Sequence, residues 1–486
     1  MVAVQKKPAA AKEGGGGSHG IPEGELLGTL ALVGLIYFTA AGGAYGSESV
    51  ISSVGPLPVI ISHAIFPFCW SLPIGLATTE LATAYPSDGG IAVWAALAFN
   101  EFWGFMGGYF SLVEGCINLA VFPTVTLDYL MVLFNAELDP YTAYLGKAAI
   151  SIFVVFLNMQ GVSFVGRSAY ILSILINIPL LFMCIGAIMT VKDYSPWLES
   201  RQNDYDTNWT FFMGILVFNL SGYDNVGSVA GQVKQPGITM PKAMIVAIVV
   251  GSVSFLVPLM YGAVIDSDYD HWQAGYFAIA GRKVGGDWLF YMLVIAAAMS
   301  RLTHFMAELC TNSFFLQGMA DERMVPPIFG WKHPEKRAPW VSIIANCAVV
   351  LAMVTLSLPE IFEFSNAFTI AGVLLGLVTT IRLRLTHPNV PRPYAIPVGT
   401  WGLLVLFLPC FILSFYVLLC LSTFVVSICL GVTGSGMLAY YALSEARSVG
   451  WEGMQGSVED VEIFGVKSHS DHVEPDADFN AHNSTV

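Results

Sequence analysis

From Leu26 onward the sequence is a succession of apolar runs. Each is about as long as the roughly 20 residues that carry a helix across a bilayer. Twelve can be marked, at 26–50, 56–84, 100–134, 145–163, 166–191, 209–232, 240–265, 287–319, 339–357, 361–383, 400–420 and 422–443. Lipid offers no partner to a bare peptide group, so such a run in hydrocarbon must satisfy its own backbone as a helix. The composition agrees: 55% of residues are hydrophobic and 12% charged, about half the charged share of a soluble chain. The expected fold is an all-α integral membrane protein with 12 transmembrane helices. The mean hydropathy of +0.66 leaves little chain for anything else.

The segments outside the runs divide into tails and loops. Residues 1–25 are polar and Gly-rich and read as a disordered cytosolic tail. Residues 444–486 are polar and acidic and read as a second one. Residues 26–443 form the membrane domain between them. Basic residues set the orientation. With both termini inside, the inner loops hold Arg167, Lys234, Lys242, Arg323, Lys332, Lys336, Arg337, Arg382, Arg384 and Arg392, and the outer loops are acidic. Those outer acids read either as solvated loops or as a negative vestibule that concentrates cations. The plasma membrane is the expected location. No cysteine pair has metal-type spacing, so no metal, cofactor or disulfide is expected. The absence of a phosphate loop or nucleophile motif argues against an enzyme, and no nucleic-acid partner is expected.

Two runs carry their own weak points. The first contains Gly42, Gly43 and Gly46; the sixth contains Ser221-Gly222. Glycine lets a helix unwind, and unwound backbone at membrane depth is tolerated only where it lines a protein-walled cavity. Interrupted helices five runs apart point to an inverted-repeat carrier, with repeats over about 26–191 and 209–383 and two further helices over about 400–443. Close helix packing is the competing reading of the same glycines.

Carboxylates cluster near those points. Glu48 follows the first break, where it would neutralise a helix N-terminus that otherwise attracts anions. Glu114 and Asn118 lie four apart on one helix face. Asp224 follows the second break, beside Tyr223, whose ring suits an ammonium group, and Asn219 lies one turn earlier. Arg301, His304, Glu308 and Asn312 make a polar stripe on the eighth run. Capping by Glu48 and Asp224, a structural Glu114–Asn118 pair and an internal salt bridge at Glu308 are the alternatives. Glu80 and Asp128, near run ends, read as interfacial structure.

Six stretches, AAGGAYGSESV, ELATAYPSDGGIAVW, FWGFMGGYFSLVEGCINLAVFPTVTLDYL, FNLSGYDNVGSVAGQV, AAAMSRLTHFMAELCTNSFFLQGMADERMVPPIF and HPNVPRPYAIPVGT, fall in order along 26–420. They resemble the amino acid–polyamine–organocation superfamily, and most closely its polyamine uptake transporters of plants and kinetoplastid parasites. The resemblance implies a LeuT-type 5+5 inverted repeat with helices 1 and 6 broken. It also implies a proton-coupled importer of putrescine, cadaverine and spermidine working by alternating access. Two departures stand out: relatives carry an acid where this chain has Asn118, and an acid where it has Gln232. The expected substrate site is Gly42, Gly43, Gly46, Glu48, Tyr109, Glu114, Asn118, Asn219, Ser221, Tyr223, Asp224 and Glu308. Glu114, His304 and Glu308 are the expected proton-coupling groups. The expected partners are a small organic cation, protons and membrane lipid. An amino acid permease of the same fold, for cationic or neutral amino acids, is the alternative.

Overall fold

A computed structural model describes residues 26–134, 136–201, 207–355 and 358–448. The two expected tails lie almost wholly outside the described residues. The helices run α1 (Thr29–Ala40), α2 (Ser49–Val54), α3 (Pro56–Phe66), α4 (Leu72–Ala84), α5 (Gly90–Ala98), α6 (Glu101–Phe134), α7 (Pro140–Asn158) and α8 (Val162–Thr190). They continue with α9 (Trp209–Leu220), α10 (Pro236–Ile265), α11 (Tyr276–Gly285), α12 (Asp287–Asp321), α13 (Trp340–Met353), α14 (Leu358–Thr386), α15 (Thr400–Leu419) and α16 (Thr423–Ser448). Among the described residues there is no strand, only an isolated parallel bridge between Leu27 and Val233. Nine helices there are long and apolar enough to cross a membrane; the shorter α1 and α13 are also apolar.

Burial sorts the helices. Along α12 nearly every residue from Thr303 to Phe315 is buried, polar ones included. By contrast α15 and α16 leave Trp401, Leu419 and Leu438 outward, as lipid-facing helices do. A π turn at Pro67–Ser71 joins α3 to α4 into one span over Pro56–Ala84. Its cause is local. Pro73 has no N–H to offer the Cys69 carbonyl, which accepts instead from the Cys410 thiol at 3.1 Å. Asp139 caps α7 by accepting from the Tyr141 and Thr142 amides, each at 3.1 Å. That cap starts the helix at Pro140, five residues before the expected run. Two short helices, α5 and α11, were not foreseen.

Both expected breaks are present. After Ala40 the backbone turns through Gly42 (φ 64°), Gly43 (φ 84°) and Gly46 (φ 85°) before α2 begins. Successive positive φ angles cannot continue a right-handed helix. After Leu220 the chain passes Gly222 (φ 86°) into a 3-10 segment, Asn225–Gln232. The freed carbonyls find partners: the Ser300 hydroxyl donates to Gly42 O at 2.5 Å, and Ser71 Oγ donates to Leu220 O at 2.8 Å. Trp70 Nε1 donates to Ser221 Oγ at 2.8 Å. The breaks also meet, for a Cβ on Gly222 would stand 2.2 Å from the Thr39 carbonyl oxygen.

Near the other end of α4, Glu80 is 1% exposed. It accepts from Arg384 Nε (2.7 Å) and Nη2 (2.5 Å) and from the Ile396 amide (2.8 Å). Arg392 approaches at 3.5 Å. This pairing ties α4 to α14 and to the proline-rich segment after it.

Gly222→Ala combines a strained φ with a backbone clash. It should lower the melting temperature of the purified protein by roughly 5 °C or more, measured by a thermal-shift assay. Gly28→Ala, where a Cβ meets nothing within 4 Å, serves as the control.

Candidate functional site

The long central helices and the second break line a cavity of about 60 Å³. Its floor and walls come from α4 (Ile74, Thr78), α5 (Trp94), α6 (Ser111, Glu114), the broken segment (Asp224, Asn225, Ser228), α12 (Glu308, Thr311, Asn312, Phe315) and α14 (Val373). Three carboxylates face it, Glu114, Asp224 and Glu308. Among the described residues no Lys or Arg lines it. A smaller cavity of about 20 Å³ adjoins it and shares Glu114, Asn225 and Glu308. Both breaks line that one, through Thr39 and Ala40 on one side and Ser221 and Gly222 on the other, with His304, Asn118, Ser365 and Thr369.

Each acid is held differently. Glu114 Oε1 accepts from Asn118 Nδ2 at 2.6 Å and from Thr369 Oγ1 at 3.2 Å. Asn118 Oδ1 in turn accepts from Ser365 Oγ at 2.5 Å, so α14 fixes the pair on α6. Glu308 Oε1 lies 3.5 Å from His304 Nε2, while its Oε2 is buried without a hydrogen-bond partner. The His304 ring stacks on Phe122, centroids 4.5 Å apart, and its Nδ1 is likewise unpartnered. Asp224 precedes the 3-10 segment but makes no side-chain capping bond to it. Burying carboxylates without partners costs several kcal/mol each. The arrangement therefore favours either protons or a visiting cation.

Other expected site residues lie elsewhere. Glu48 is fully buried and accepts from the Gly275 amide at 3.1 Å, tying the start of α2 to the loop before α11. Gly42 packs against α12; a Cβ there would stand 2.5 Å from His304 Nδ1 and 3.3 Å from Arg301 Nη2. Gly43 lies near Tyr37 and Tyr45, and Gly46 faces open space. Tyr223 is fully buried with its hydroxyl against Gly251 of α10. Asn219 keeps an unpartnered Nδ2 and does not line the cavity. Tyr109 is placed away from the cavity. It shares a hydrogen bond of 2.9 Å with Ser435 of α16 and lines a separate apolar hollow of about 580 Å³.

Sequence reasoning missed Trp94, Phe315, Asn225, Ser365 and Thr369. Ser365 and Thr369 lie in a run that also holds Glu363, Asn366 and Thr379, so nothing in the sequence singles them out. Asp88, in the loop between α4 and α5, was also missed. It accepts from the Gly231 amide at 3.0 Å and from Gln232 Nε2 at 2.5 Å, latching that loop to the end of the broken segment.

Apolar helices interrupted around an acidic cavity are the build of a membrane transporter. The sequence pattern of the amino acid permease family matches residues 27–444. Polyamine transporter RMV1 of Arabidopsis thaliana is 32% identical over 426 residues, 87% of this chain and 86% of its own. Polyamine transporter PUT1 of Oryza sativa subsp. japonica is 32% identical over 448 residues, 89% and 83%. The glutamate/serine transporter AimA of Bacillus subtilis (strain 168) is 24% identical over 395 residues, 75% and 72%. The chain belongs to the amino acid permease family, a family of transporters and not of enzymes.

Asp88 supplies a pH signature. Burial, opposed by Lys332 and by the Gln232 amide and reinforced by Asp321, pushes its carboxyl up to about 6 from the ordinary 3.8. An acid whose folded value is raised favours the folded state most below its unfolded value, and that advantage fades as pH rises toward 6. The melting temperature of Asp88→Asn relative to the parent protein should therefore rise between pH 5 and pH 7. A difference unchanged across that range would remove Asp88 as the cause.

Proposed function

We propose that the protein is a secondary active transporter that imports polyamines, with putrescine, cadaverine and spermidine as substrates, coupled to protons. The observation that carries this reading is the set of three carboxylates, Glu114, Asp224 and Glu308, around one cavity with no lining Lys or Arg among the described residues. A diamine brings two ammonium groups and no carboxylate. Each group can neutralise one acid, and the methylene chain between them suits the apolar walls of Ile74, Trp94, Phe315 and Val373. The two relatives named as polyamine transporters, each 32% identical over most of the chain, support the same substrate class.

Coupling follows from charge balance. An acidic cavity left with no cation costs too much to close, so protons or substrate must enter before the bundle moves. Glu308 with His304, together with Glu114, is the group we assign to proton exchange, because their free oxygen and ring nitrogen lie where the smaller cavity reaches the first break. We read the chain as twelve spans: the nine long helices, α13, and the two interrupted ones, α1–α2 and α9 with its 3-10 continuation. The spans over 26–191 and 209–383 form the inverted repeats, and alternating access moves one bundle against the other around the cavity. Both termini are cytosolic and the membrane is the plasma membrane, in keeping with the basic inner loops.

Radiotracer uptake into proteoliposomes under an imposed proton gradient tests this. Asp224→Asn should reduce putrescine uptake roughly tenfold to a hundredfold, the weight of a hydrogen bond to a charged group, with protein incorporation unchanged. Tyr109→Phe should leave uptake within about twofold of the parent. Spermidine should compete and arginine should not; transport of amino acids in preference to diamines would replace this reading with that of an amino acid permease.

A further inference from the structure

A buried cation stands near the acidic cavity, and the transport reading does not use it. Arg301 lies on α12, one turn before His304 and two before Glu308, on the same helix face. It is 8% exposed. Its Nη2 donates to Ser300 Oγ at 3.4 Å, and its Nε is buried without a hydrogen-bond partner. That is thin support for a charge taken out of water. An arginine that ties helices together is paired, as Arg384 and Arg392 are to Glu80. Arg301 has no such pair among the described residues.

Two acids lie within its field, each half satisfied. Glu48, at the start of α2, and Glu308 both act on the Arg301 charge, as do Tyr129 and Tyr37. Each of the two acids has one oxygen, Oε2, buried without a partner. The other oxygen of Glu48 accepts from the Gly275 amide at 3.1 Å, and that of Glu308 lies 3.5 Å from His304 Nε2. Gly42 leaves room beside the arginine. A Cβ there would stand 2.5 Å from His304 Nδ1 and 3.3 Å from Arg301 Nη2, so the missing side chain lets imidazole and guanidinium face one point. The seven residues from Arg301 to Glu308 rise about 10 Å along the helix, a span that an extended arginine and a glutamate side chain cover together.

We propose that Arg301 is a mobile counter-ion, pairing with Glu308 when the cavity is empty and displaced to Glu48 when a substrate ammonium takes its place. Resting on the transport reading above, this role gives the unloaded carrier a way to return. With the guanidinium on Glu308, the empty cavity has one charge fewer left uncompensated, and the bundle can close over it. With an ammonium on Glu308, two cations would stand side by side, and the arginine moves to the free oxygen of Glu48. A ligand must therefore bring positive charge of its own to displace the one already in the protein.

The test compares two modes of labelled putrescine movement in proteoliposomes holding the full chain: net uptake into vesicles with no internal polyamine, and exchange against internal putrescine. Arg301→Gln should cut net uptake at least about tenfold, the weight of a buried carboxylate left uncompensated. It should hold exchange within about threefold of the parent, because an ammonium then accompanies every crossing. Arg301→Lys, which keeps the charge, should restore most of the net uptake. Glu48→Gln keeps an acceptor for the Gly275 amide but leaves Glu308 as the one acid the guanidinium can join. It should raise the putrescine concentration for half-maximal exchange about fivefold, and it decides the matter where Arg301→Gln does not fold. Equal loss of both modes in Arg301→Gln protein that incorporates normally would make the arginine a structural tie and overturn the proposal. Unchanged net uptake in that variant, or an unchanged half-maximal concentration in Glu48→Gln, would overturn it as well. A parent protein that moves putrescine in neither mode would instead refute the polyamine reading, and this proposal with it.

Discussion

The meeting of the two helix breaks is the constraint on which the rest depends. A side chain at position 222 would collide with the Thr39 carbonyl, so the backbones of the first and sixth runs touch with nothing between them. The chain ties the same two segments together again at their ends, through Leu27 N to Gln232 O at 2.9 Å and Lys234 N to Leu27 O at 3.0 Å. Two unwound stretches in contact cannot both be shielded by their own helices. Their polar groups must be satisfied by neighbours, and the neighbours are Ser71, Trp70 and Ser300. The requirement of hydrocarbon that every peptide group be paired thus draws α4 and α12 into the centre.

Once α12 is central, its polar stripe has only the interior to face. Ser300 and Arg301 pack at the first break, and His304 and Glu308 border the cavity one and two turns further on. Opposite them α6 presents Glu114, held by Asn118 and Thr369. Packing of α6 and α12 against the second break brings the three acids together, and among the described residues no Lys or Arg lines their cavity. This separates them from Glu80, whose two arginine neighbours and backbone donor make it a fixed tie between helices. Burial is common to Glu80, Glu114 and Glu308, and the arginine pairing of Glu80 sets it apart from the other two.

Much of the helical order was legible because a 20-residue apolar run admits one solution in lipid. The breaks were legible because Gly42, Gly43, Gly46 and Gly222 stand in runs that otherwise want to stay helical. Among the site acids, Glu114, Asp224 and Glu308 were visible as charges in apolar sequence, and all three reach one cavity. Glu48 carried the same signal but points to the loop before α11, because its direction depends on how six residues of α2 leave the break. Tyr109 shares a helix with Glu114, five residues away, and 3.6 residues per turn place it on a different face. No sequence period reveals which face meets α16. Ser365, Thr369 and Trp94 matter only through tertiary neighbours, and the short helices α5 and α11 are too brief for a periodic signal.

Position 232 shows how local chemistry sets a joint between two segments. Gln232 donates its amide to Asp88 at 2.5 Å while the Gly231 amide donates to the other oxygen at 3.0 Å. A glutamate at 232 would set two carboxylates side by side, which repel unless one holds a proton. An amide avoids that repulsion, because Nε2 donates to Asp88 and carries no charge of its own. In this chain, therefore, the loop before α5 and the end of the broken segment meet through one uncharged side chain, Gln232, and the charge at the joint is carried by Asp88.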